Sequence, residues 1–312
     1  MPNSQEPLFI VGSQRSGTTL LRLMLDHHSQ VACPHELDYS VARVSDHGEW
    51  PDLAEYHRYL ETNGSFRRSG LSIDRSLDYP ALMRHLLEEH QRGKAIISMA
   101  VHEAFHRLPF LWPAARYVHL LRDPRDVARS VVQMEWATHT WAGARYWLEA
   151  EQSWDRLRAH IPPDCWVEVT YEDLVRDPER VLTEICTHLG LEFEEGMLDY
   201  ARDTSYERPR AELAEQWRHR ANDRDVQLVE ARLGDLLTER GYPPSGLPRL
   251  PVGGRTRCWL RVGDRLGRIR LRLRRQGVIL FGVDYVARKL KIPGLERWSR
   301  ERIVERRRDF VR

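Results

Sequence analysis

The regular pattern of the chain begins with a continuous apolar run, Leu8–Val11, which is followed by small and polar residues and then by an amphipathic stretch. A short apolar run that ends at a glycine is typical of a buried parallel strand. Residues 18–26 carry leucines and a methionine at helical spacing, and Gly12 and Gly17 bound the turn between the two segments. The pattern therefore predicts a strand, a tight turn and a helix.

Four more strands are predicted from short apolar or alternating runs at 31–33, 95–99, 116–121 and 166–171. Helical patterns separate them, and the clearest is the amphipathic stretch 141–160, whose aromatic stripe we expect to be core. Strands that alternate with helices are typical of an α/β fold. The sequence therefore predicts a parallel sheet that is flanked by helices.

Glycines mark the ends of two further predicted helices. Residues 179–189 stop at Gly190, and residues 226–240 stop at Gly241. Residues 40–93 are polar and aromatic and carry no motif, and we expect them to form helices and loops that pack over a ligand crevice.

Composition excludes several classes of protein. The 312 residues can bury a large core, and no apolar run reaches the ~18 residues of a membrane helix. The first strand begins too near Met1 for a secretory signal peptide, so a cytoplasmic protein is expected. The four cysteines show no CxxC spacing, which predicts reduced thiols rather than a disulfide framework or a cysteine zinc site.

The net charge of +2 conceals an asymmetry along the chain. Residues 249–312 contain 20 Lys and Arg against 6 Asp and Glu, which gives +14 and leaves −12 for residues 1–248. This shift predicts a main domain 1–248 and a basic helical C-terminal extension 249–312. The favoured expectation is that apolar residues of the extension, Trp259 and Leu266 among them, pack on the acidic domain.

A second interpretation of the extension places residues 255–312 on an anionic membrane surface, because basic amphipathic helices bind such surfaces. The corresponding alternative function is a non-enzymatic binder of polyanions or membranes.

The first turn has the spacing of a phosphate-binding loop. Gly12 and Gly17 are separated by four residues, as in a nucleotide P-loop, but Thr18 stands where the ATP-binding version has lysine. The positive charge lies instead at Arg15, and the helix N-terminus that follows favours an anion. A P-loop-type sheet is therefore predicted, while the missing lysine disfavours the alternative of a phosphotransferase that uses ATP and magnesium.

A second candidate anion site follows the strand at 116–121. Arg122 ends that strand, and the sequence Asp-Pro-Arg-Asp begins a helix that carries Ser130. Arginine suits bidentate recognition of phosphate, and a hydroxyl from the following helix can complete the site.

Glu36 lies in the loop after the short strand at 31–33. Ligands of open parallel sheets bind beyond the carboxyl ends of the strands, so Glu36 is expected to face the same crevice as the phosphate loop. A carboxylate in that position is a candidate general base.

One competing motif lies between these elements. The residues His102-Glu103-Ala104-Phe105-His106 satisfy H-E-x-x-H, in which two histidines one helical turn apart bind zinc and the glutamate activates water. A third ligand is not evident from the sequence, and Pro109 tends to end a helix soon after His106. A zinc hydrolase is the resulting alternative function.

The sequence GSQRSGTTLL resembles the 5′-phosphosulfate loop of sulfotransferases that use 3′-phosphoadenylyl sulfate (PAPS). RDPRDVARS resembles the 3′-phosphate motif of that family, and YEDLVRDPERVL resembles its third landmark; the resemblance covers about residues 7–244. It implies a catalytic domain at 1–248 that transfers a sulfuryl group from PAPS. The residues that it assigns to PAPS are Arg15, Ser16, Gly17, Thr18 and Thr19 at the 5′-phosphosulfate, Arg122 and Ser130 at the 3′-phosphate, and Tyr171 at the adenine.

The resemblance also implies catalytic roles. Arg15 and Glu36 are similar in placement to the loop arginine and catalytic glutamate of tyrosylprotein sulfotransferases and related bacterial enzymes. Many family members carry a polarising lysine in a Lys-Thr-Pro motif, whereas this chain has Ser-Met-Ala-Val ending at His102. His102, a residue elsewhere, or Arg15 alone would supply that charge.

The family reaction needs no metal and produces adenosine 3′,5′-bisphosphate. The acceptor is expected to be a hydroxyl or amine of a lipid, carbohydrate, peptide or small molecule, and no nucleic acid partner is expected. Family members also close a polar loop over the nucleotide. The candidates for that role here are Ser205, Arg208, Arg210 and Arg218, and the sequence does not choose among them.

Overall fold

The computed structural model describes residues 6–204, 207–290, 292, 294–295, 298–299 and 302–303. Five strands form one sheet, and each of them corresponds to a strand predicted from the sequence. Their bounds are β1 Leu8–Val11, β2 Val31–Ala32, β3 Ile96–Val101, β4 Arg116–Leu121 and β5 Trp166–Thr170.

The sheet is parallel throughout and has the strand order β2-β3-β1-β4-β5. β1 is the central strand, and its first residue, Leu8, pairs with Ser98 of β3 and with Arg116 of β4. Because all strands run the same way, the segments after β1, β3 and β4 emerge side by side at one edge of the sheet. This order brings the phosphate loop next to both of the segments that follow its neighbours.

Fourteen α-helices occur in the part of the chain that the structure describes. They are α1 Thr18–Asp26, α2 Leu53–Thr62, α3 Gly64–Ser69, α4 Tyr79–Glu88, α5 Leu108–Leu111, α6 Pro124–Gln133, α7 Thr140–Arg158, α8 Tyr171–Arg176, α9 Pro178–Leu189, α10 Trp217–Arg220, α11 Asp223–Leu233, α12 Leu236–Glu239, α13 Gly254–Gln276 and α14 Val278–Lys289. Short 3-10 segments lie at Asp38–Ser40, Phe105–Arg107, Pro163–Cys165, Glu195–Arg202 and Ala211–Leu213.

The core lies on both faces of the sheet because successive strand residues point to opposite sides. Phe9 of β1 belongs to the apolar cluster that includes residues of α4 and α7, whereas Leu8 and Ile10 belong to the cluster with α1 and α9. Trp147 and Trp154 of α7 are fully buried, which confirms that the predicted aromatic stripe is core. The predicted α/β fold with helices on both faces is confirmed.

The helix predicted over residues 226–240 is interrupted. Gly234 has φ 58° and ψ −131°, outside the helical region, so α11 ends at Leu233 and α12 begins only at Leu236. The apolar spacing continues across the break, and this continuity explains why the sequence pattern suggested one helix.

The favoured expectation for the C-terminal extension is wrong. Trp259 and Leu266 of α13 are 77% and 61% exposed, and the helix is held to the main domain by polar contacts instead. Asp264 accepts hydrogen bonds from the backbone N–H and the hydroxyl of Thr138, and the carbonyl of Leu260 lies 3.1 Å from the His139 ring. The division of the chain at residue 248 stays a prediction. No helix in the described ranges is long and apolar enough to cross a membrane.

Candidate active site

The phosphate loop between β1 and α1 has a backbone that requires glycine at both ends. Gly12 has φ 151° and Gly17 has φ 97°; a Cβ atom at Gly12 would lie 2.4 Å from the carbonyl oxygen of Leu120. A Cβ atom at Gly17 would lie 2.3 Å from the ring of Tyr171. The loop therefore packs directly against β4 and against the residue that follows β5, and this close packing is possible only because glycine has no side chain.

A crevice of about 580 Å³ opens at the carboxyl ends of the strands. Eight of the ten residues predicted for the site line it, namely Arg15, Gly17, Thr18, Thr19, Glu36, His102, Arg122 and Tyr171. Ser16 of the loop is buried, and Ser130 contacts the site through its hydrogen bond with Arg15. The structure thus brings all ten residues to one place.

Arg122 connects the two predicted anion sites. Its Nη1 donates a hydrogen bond of 3.0 Å to the carbonyl of Arg15, and its guanidinium lies 4.0 Å from the centre of the Tyr171 ring. Its own carbonyl accepts a 2.9 Å hydrogen bond from the indole of Trp147, which fixes the segment after β4. The guanidinium is therefore held in place by both backbone and aromatic contacts.

Arg15 is tied to the helix that follows β4. Its Nε donates a hydrogen bond of 3.0 Å to the hydroxyl of Ser130, although the two residues are 115 positions apart. Arg15 itself has φ 72°, a conformation that is uncommon outside glycine and that turns its side chain towards α6. The residues expected at the two ends of PAPS thus adjoin one another.

His102 lies at the end of β3 and contacts the first residue of α1. Its Nε2 is 2.9 Å from the hydroxyl oxygen of Thr18, and its Nδ1 is 3.1 Å from a carboxylate oxygen of Asp38. Asp38 also accepts hydrogen bonds from the backbone N–H groups of His102 and Glu103, at 2.6 and 3.1 Å. These bonds orient the imidazole so that Nδ1 carries a proton and Nε2 faces Thr18.

The charge state of His102 is set by its surroundings. Burial by itself lowers the pKa of His102, but the carboxylate of Asp38, with smaller contributions from Glu36 and Glu103, raises the pKa above its usual value. Burial likewise opposes ionisation of Asp38, while His102 and the two backbone donors hold the pKa of Asp38 below its usual value. The pair therefore favours an imidazolium beside an aspartate.

Glu36 approaches this pair from the loop after β2. Its backbone forms an isolated parallel bridge with Ala100 of β3, which places the side chain at the edge of the crevice. Ligand-type atoms of Glu36, Asp38 and His102 lie within 4.8 Å of one another. The carboxylate thus lies close to the imidazole of His102 and faces the crevice, as expected from its place after β2, while its role as a general base stays a prediction.

The H-E-x-x-H sequence does not form the helical zinc motif. β3 ends at Val101, and Ala104 has φ 51°, so no helix spans residues 102–106. His106 points to other partners, since its ring lies 2.8 Å from the hydroxyl of Ser153 and 3.0 Å from Asp46. The two histidines therefore lack the one-turn helical spacing on which the zinc hydrolase interpretation depends.

Among the basic residues that are candidates for closing over the nucleotide, Arg210 lines the crevice, whereas Arg208 and Arg218 do not. Arg208 is directed to Asp199, and Arg218 pairs with Glu215 at 2.9 Å. Ser205 lies outside the described residues. Of the three candidates that the structure describes, the position of Arg210 best suits contact with a ligand.

Comparison with known proteins agrees with this arrangement. The sequence model of the sulfotransferase family matches residues 7–195, which contain the five strands and all ten predicted site residues. The chain belongs to the sulfotransferase family. The match confirms the family that the sequence motifs indicated.

Relatives of the sulfotransferase chain differ in the acceptors for which they are named. The omega-hydroxy-beta-dihydromenaquinone-9 sulfotransferase of Mycobacterium bovis is 24% identical over 315 residues, which cover 80% of this chain and 79% of that protein. Protein-tyrosine sulfotransferase A of Caenorhabditis elegans is 24% identical over 203 residues, which cover 62% of this chain and 52% of that protein. The chain thus spans about half the length of this second relative.

A solved structure supports the sulfotransferase fold. The sulfotransferase domain from the curacin biosynthetic pathway matches with a TM-score of 0.58 at 20% identity, and the match covers 78% of this chain and 99% of that chain. This likeness confirms the P-loop-type sheet flanked by helices.

Asp38 is the main site residue that sequence reasoning missed. It follows Glu36 by two positions and lies in a 3-10 turn, where an aspartate most often caps backbone N–H groups. Its contact with His102 spans 64 positions of sequence, so no local pattern could reveal it.

Proposed function

We propose that this sulfotransferase transfers a sulfuryl group from PAPS to an acceptor hydroxyl or amine. One observation carries the proposal. The phosphate loop and Arg122 form two adjoining anion sites that are joined by a hydrogen bond, and Glu36 and His102 line the same crevice. A donor with anionic groups at two ends fits this arrangement better than a single phosphate does.

The residues present suit such a donor. The hydroxyl of Ser16 and the Nε of Arg122 are buried and have no hydrogen-bond partner among the described residues. Buried polar groups normally find partners, so two such groups at one loop indicate room for a bound anion. Ser16, Gly17, Thr18 and Thr19 would hold the 5′-phosphosulfate, Arg122 and Ser130 the 3′-phosphate, and Tyr171 the adenine.

PAPS would supply the sulfuryl group, and the chain would supply the proton acceptor and the positive charge. In this proposal Glu36 takes the proton of the attacking acceptor at its carboxylate. Arg15 stabilises negative charge that develops on the departing side of the nucleotide. Protonated His102 takes the place of the missing lysine, because its Nε2–H donates to Thr18 and leaves the Thr18 hydroxyl proton free to reach an anion.

The proposal specifies the acceptor only by its reacting group. One relative is named for a menaquinone derivative and the other for protein tyrosine, and both substrates carry a hydroxyl. A hydroxyl acceptor is therefore the best supported choice for this chain.

The proposed donor is tested by calorimetric titration of purified, metal-free protein with adenosine 3′,5′-bisphosphate, with AMP and ATP-Mg as comparisons. Micromolar binding that depends on the 3′-phosphate is expected, because Arg122 and Ser130 would contact that group. Equal binding of AMP, or preference for ATP-Mg, would contradict the proposal and favour phosphoryl transfer.

Substitution of Asp38 tests the role assigned to His102. In Asp38→Asn the pKa of His102 falls, because the carboxylate that raises it is removed. The cationic form is then lost at lower pH, so the alkaline limb of the turnover–pH profile moves to lower pH. We expect turnover to fall by about tenfold or more on the alkaline side and to recover partly on acidification.

The matched control is Asp46→Asn, which removes the carboxylate partner of the other histidine in the same segment. His106 does not line the crevice, so this change should leave the pH profile unaltered. Parallel profiles for Asp38→Asn and the unmodified protein would show that His102 does not act through its charge.

A further inference from the structure

Helices α13 and α14 of the C-terminal extension present apolar side chains to solvent. On α13 the exposed residues are Trp259, Val262 and Leu266, which follow the spacing i, i+3, i+7 and so lie on one face. On α14 they are Val278, Ile279, Tyr285, Val286 and Leu290, the last of these just beyond its end. Ile279 is 84% exposed, which is unusual for a large aliphatic side chain.

The opposite faces of the same helices are buried. Leu280 and Ala287 of α14 are 7% and 0% exposed, and Asp264 of α13 is held by Thr138 of the main domain. The extension is therefore attached through one side, and no described residue covers its apolar side. Exposed apolar patches of this kind mark interaction sites or promote aggregation, so the face calls for a binding partner.

Positive charge surrounds the apolar face. Residues 254–290 contain eleven Arg and Lys and only two Asp, and both aspartates are buried. A groove of about 510 Å³ between the two helices is lined by basic and aromatic side chains, including Arg265, Arg272 and Tyr285. Tyr285 belongs to both the groove and the exposed face of α14, so the basic groove adjoins the apolar surface.

We propose that α13 and α14 bind the surface of a membrane that contains anionic lipids. Such a surface offers an apolar layer for Trp259 and Ile279 and negative head groups for the arginines. A second copy of the chain would bring two basic faces together and create like-charge repulsion. A nucleic acid would neutralise the arginines but offers no apolar layer for these side chains. This inference does not rest on the proposed function.

The attachment also fixes the membrane-binding face relative to the catalytic crevice. Asp264 holds Thr138, two residues after Trp136, and Trp136 lines both the crevice and the pocket beneath α13. The exposed apolar residues lie on the opposite side of α13, so a membrane bound by the extension would be separated from the side of the crevice that Trp136 forms by the thickness of that helix, about 10–12 Å.

Flotation of the full-length protein with vesicles tests the proposal. Vesicles of phosphatidylcholine alone are compared with vesicles that also contain phosphatidylglycerol, at low and high salt. Binding is expected only with phosphatidylglycerol and should weaken with salt, because the head-group attraction is screened. The double substitution Trp259→Ser with Ile279→Ser should reduce the bound fraction by about tenfold or more.

The matched control is Phe110→Ser, which removes an apolar side chain that is 43% exposed on the main domain, and it should leave vesicle binding unchanged. Binding of adenosine 3′,5′-bisphosphate, measured on the same samples, reports the nucleotide site independently of the extension. Arg265→Gln with Arg272→Gln should weaken vesicle binding and reduce its salt dependence.

Any of four outcomes would overturn the inference. The first three are equal binding to both kinds of vesicle, undiminished vesicle binding by the Trp259→Ser and Ile279→Ser variant, and conversion of a dimer to a monomer by that variant without a change in vesicle binding. Binding of DNA in the absence of any vesicle binding would also overturn it and would assign the basic groove to a polyanion.

Discussion

Replacement of Glu36 by glutamine should lower turnover by about 10²-fold or more while nucleotide affinity stays the same. Glutamine keeps the size of the side chain and one acceptor oxygen but cannot take a proton from the acceptor substrate. Glu36 lines the crevice beside His102 and Thr19, where it can meet an acceptor without holding the predicted phosphate sites. Initial rates with labelled PAPS, together with calorimetric affinity for adenosine 3′,5′-bisphosphate, separate the two effects.

Glu207→Gln is the matched control for this experiment. Glu207 also lines the crevice, but it pairs with Arg210 at 2.9 Å on the closing loop and has no role in proton transfer here. Its substitution should change turnover by only a few-fold. If Glu36→Gln keeps normal turnover, Glu36 is not the base, and the next candidate is the carboxylate of Glu103, which lines an adjoining pocket together with His102.

Substitution of Arg122 by alanine should weaken adenosine 3′,5′-bisphosphate far more than AMP. Hydrogen bonds to a charged group contribute about 1.5–3 kcal/mol, which corresponds to roughly a tenfold to hundredfold loss of affinity. The guanidinium has a buried Nε without a partner among the described residues, so it has capacity for a ligand beyond its bond to Arg15. AMP lacks the 3′-phosphate and should lose only the stacking of Arg122 on Tyr171.

Arg116→Ala provides the comparison, because Arg116 begins the same strand at its opposite end and donates to the carbonyl of His188. It should leave both affinities unchanged. Arg122→Lys retains the charge but not the planar fork of the guanidinium. Its affinity for adenosine 3′,5′-bisphosphate should therefore fall between those of the unmodified protein and Arg122→Ala. If Arg122→Ala loses equal affinity for adenosine 3′,5′-bisphosphate and for AMP, Arg122 does not bind the 3′-phosphate.

Local sequence was sufficient to predict the strands, loops and helices that position the site residues. The apolar run Leu8–Val11, the glycines at 12 and 17 and the helix after them depend on neighbouring residues, because strand burial, turn conformation and helix periodicity are short-range properties. The segment from Arg122 to Ser130 was predictable for the same reason, since Asp123 caps α6 and Pro124 begins it. The motifs on these elements were therefore enough to indicate the family, which the comparison then confirmed.

Local sequence failed where one pattern allowed two structures. H-E-x-x-H fits a helix as well as the turn that follows β3, and the choice depends on Asp38, which binds the backbone of His102 and Glu103 from 64 and 65 positions away. The spacing of apolar residues in 226–240 likewise hid the break at Gly234. Propensity is a weak prior in such places, because tertiary contacts override it.

The five strands and the phosphate loop follow from the local pattern of the chain, because they depend on short-range periodicity and backbone conformation. The strand order that puts β3 and β4 on either side of β1 depends instead on long-range packing, and so does the contact of Thr18 with His102 across 84 positions. The tertiary structure also decided that Trp259 and Leu266 face solvent, because buried polar contacts of Asp264 orient α13. Neither outcome follows from the local pattern, since each depends on which distant surfaces meet when the chain folds.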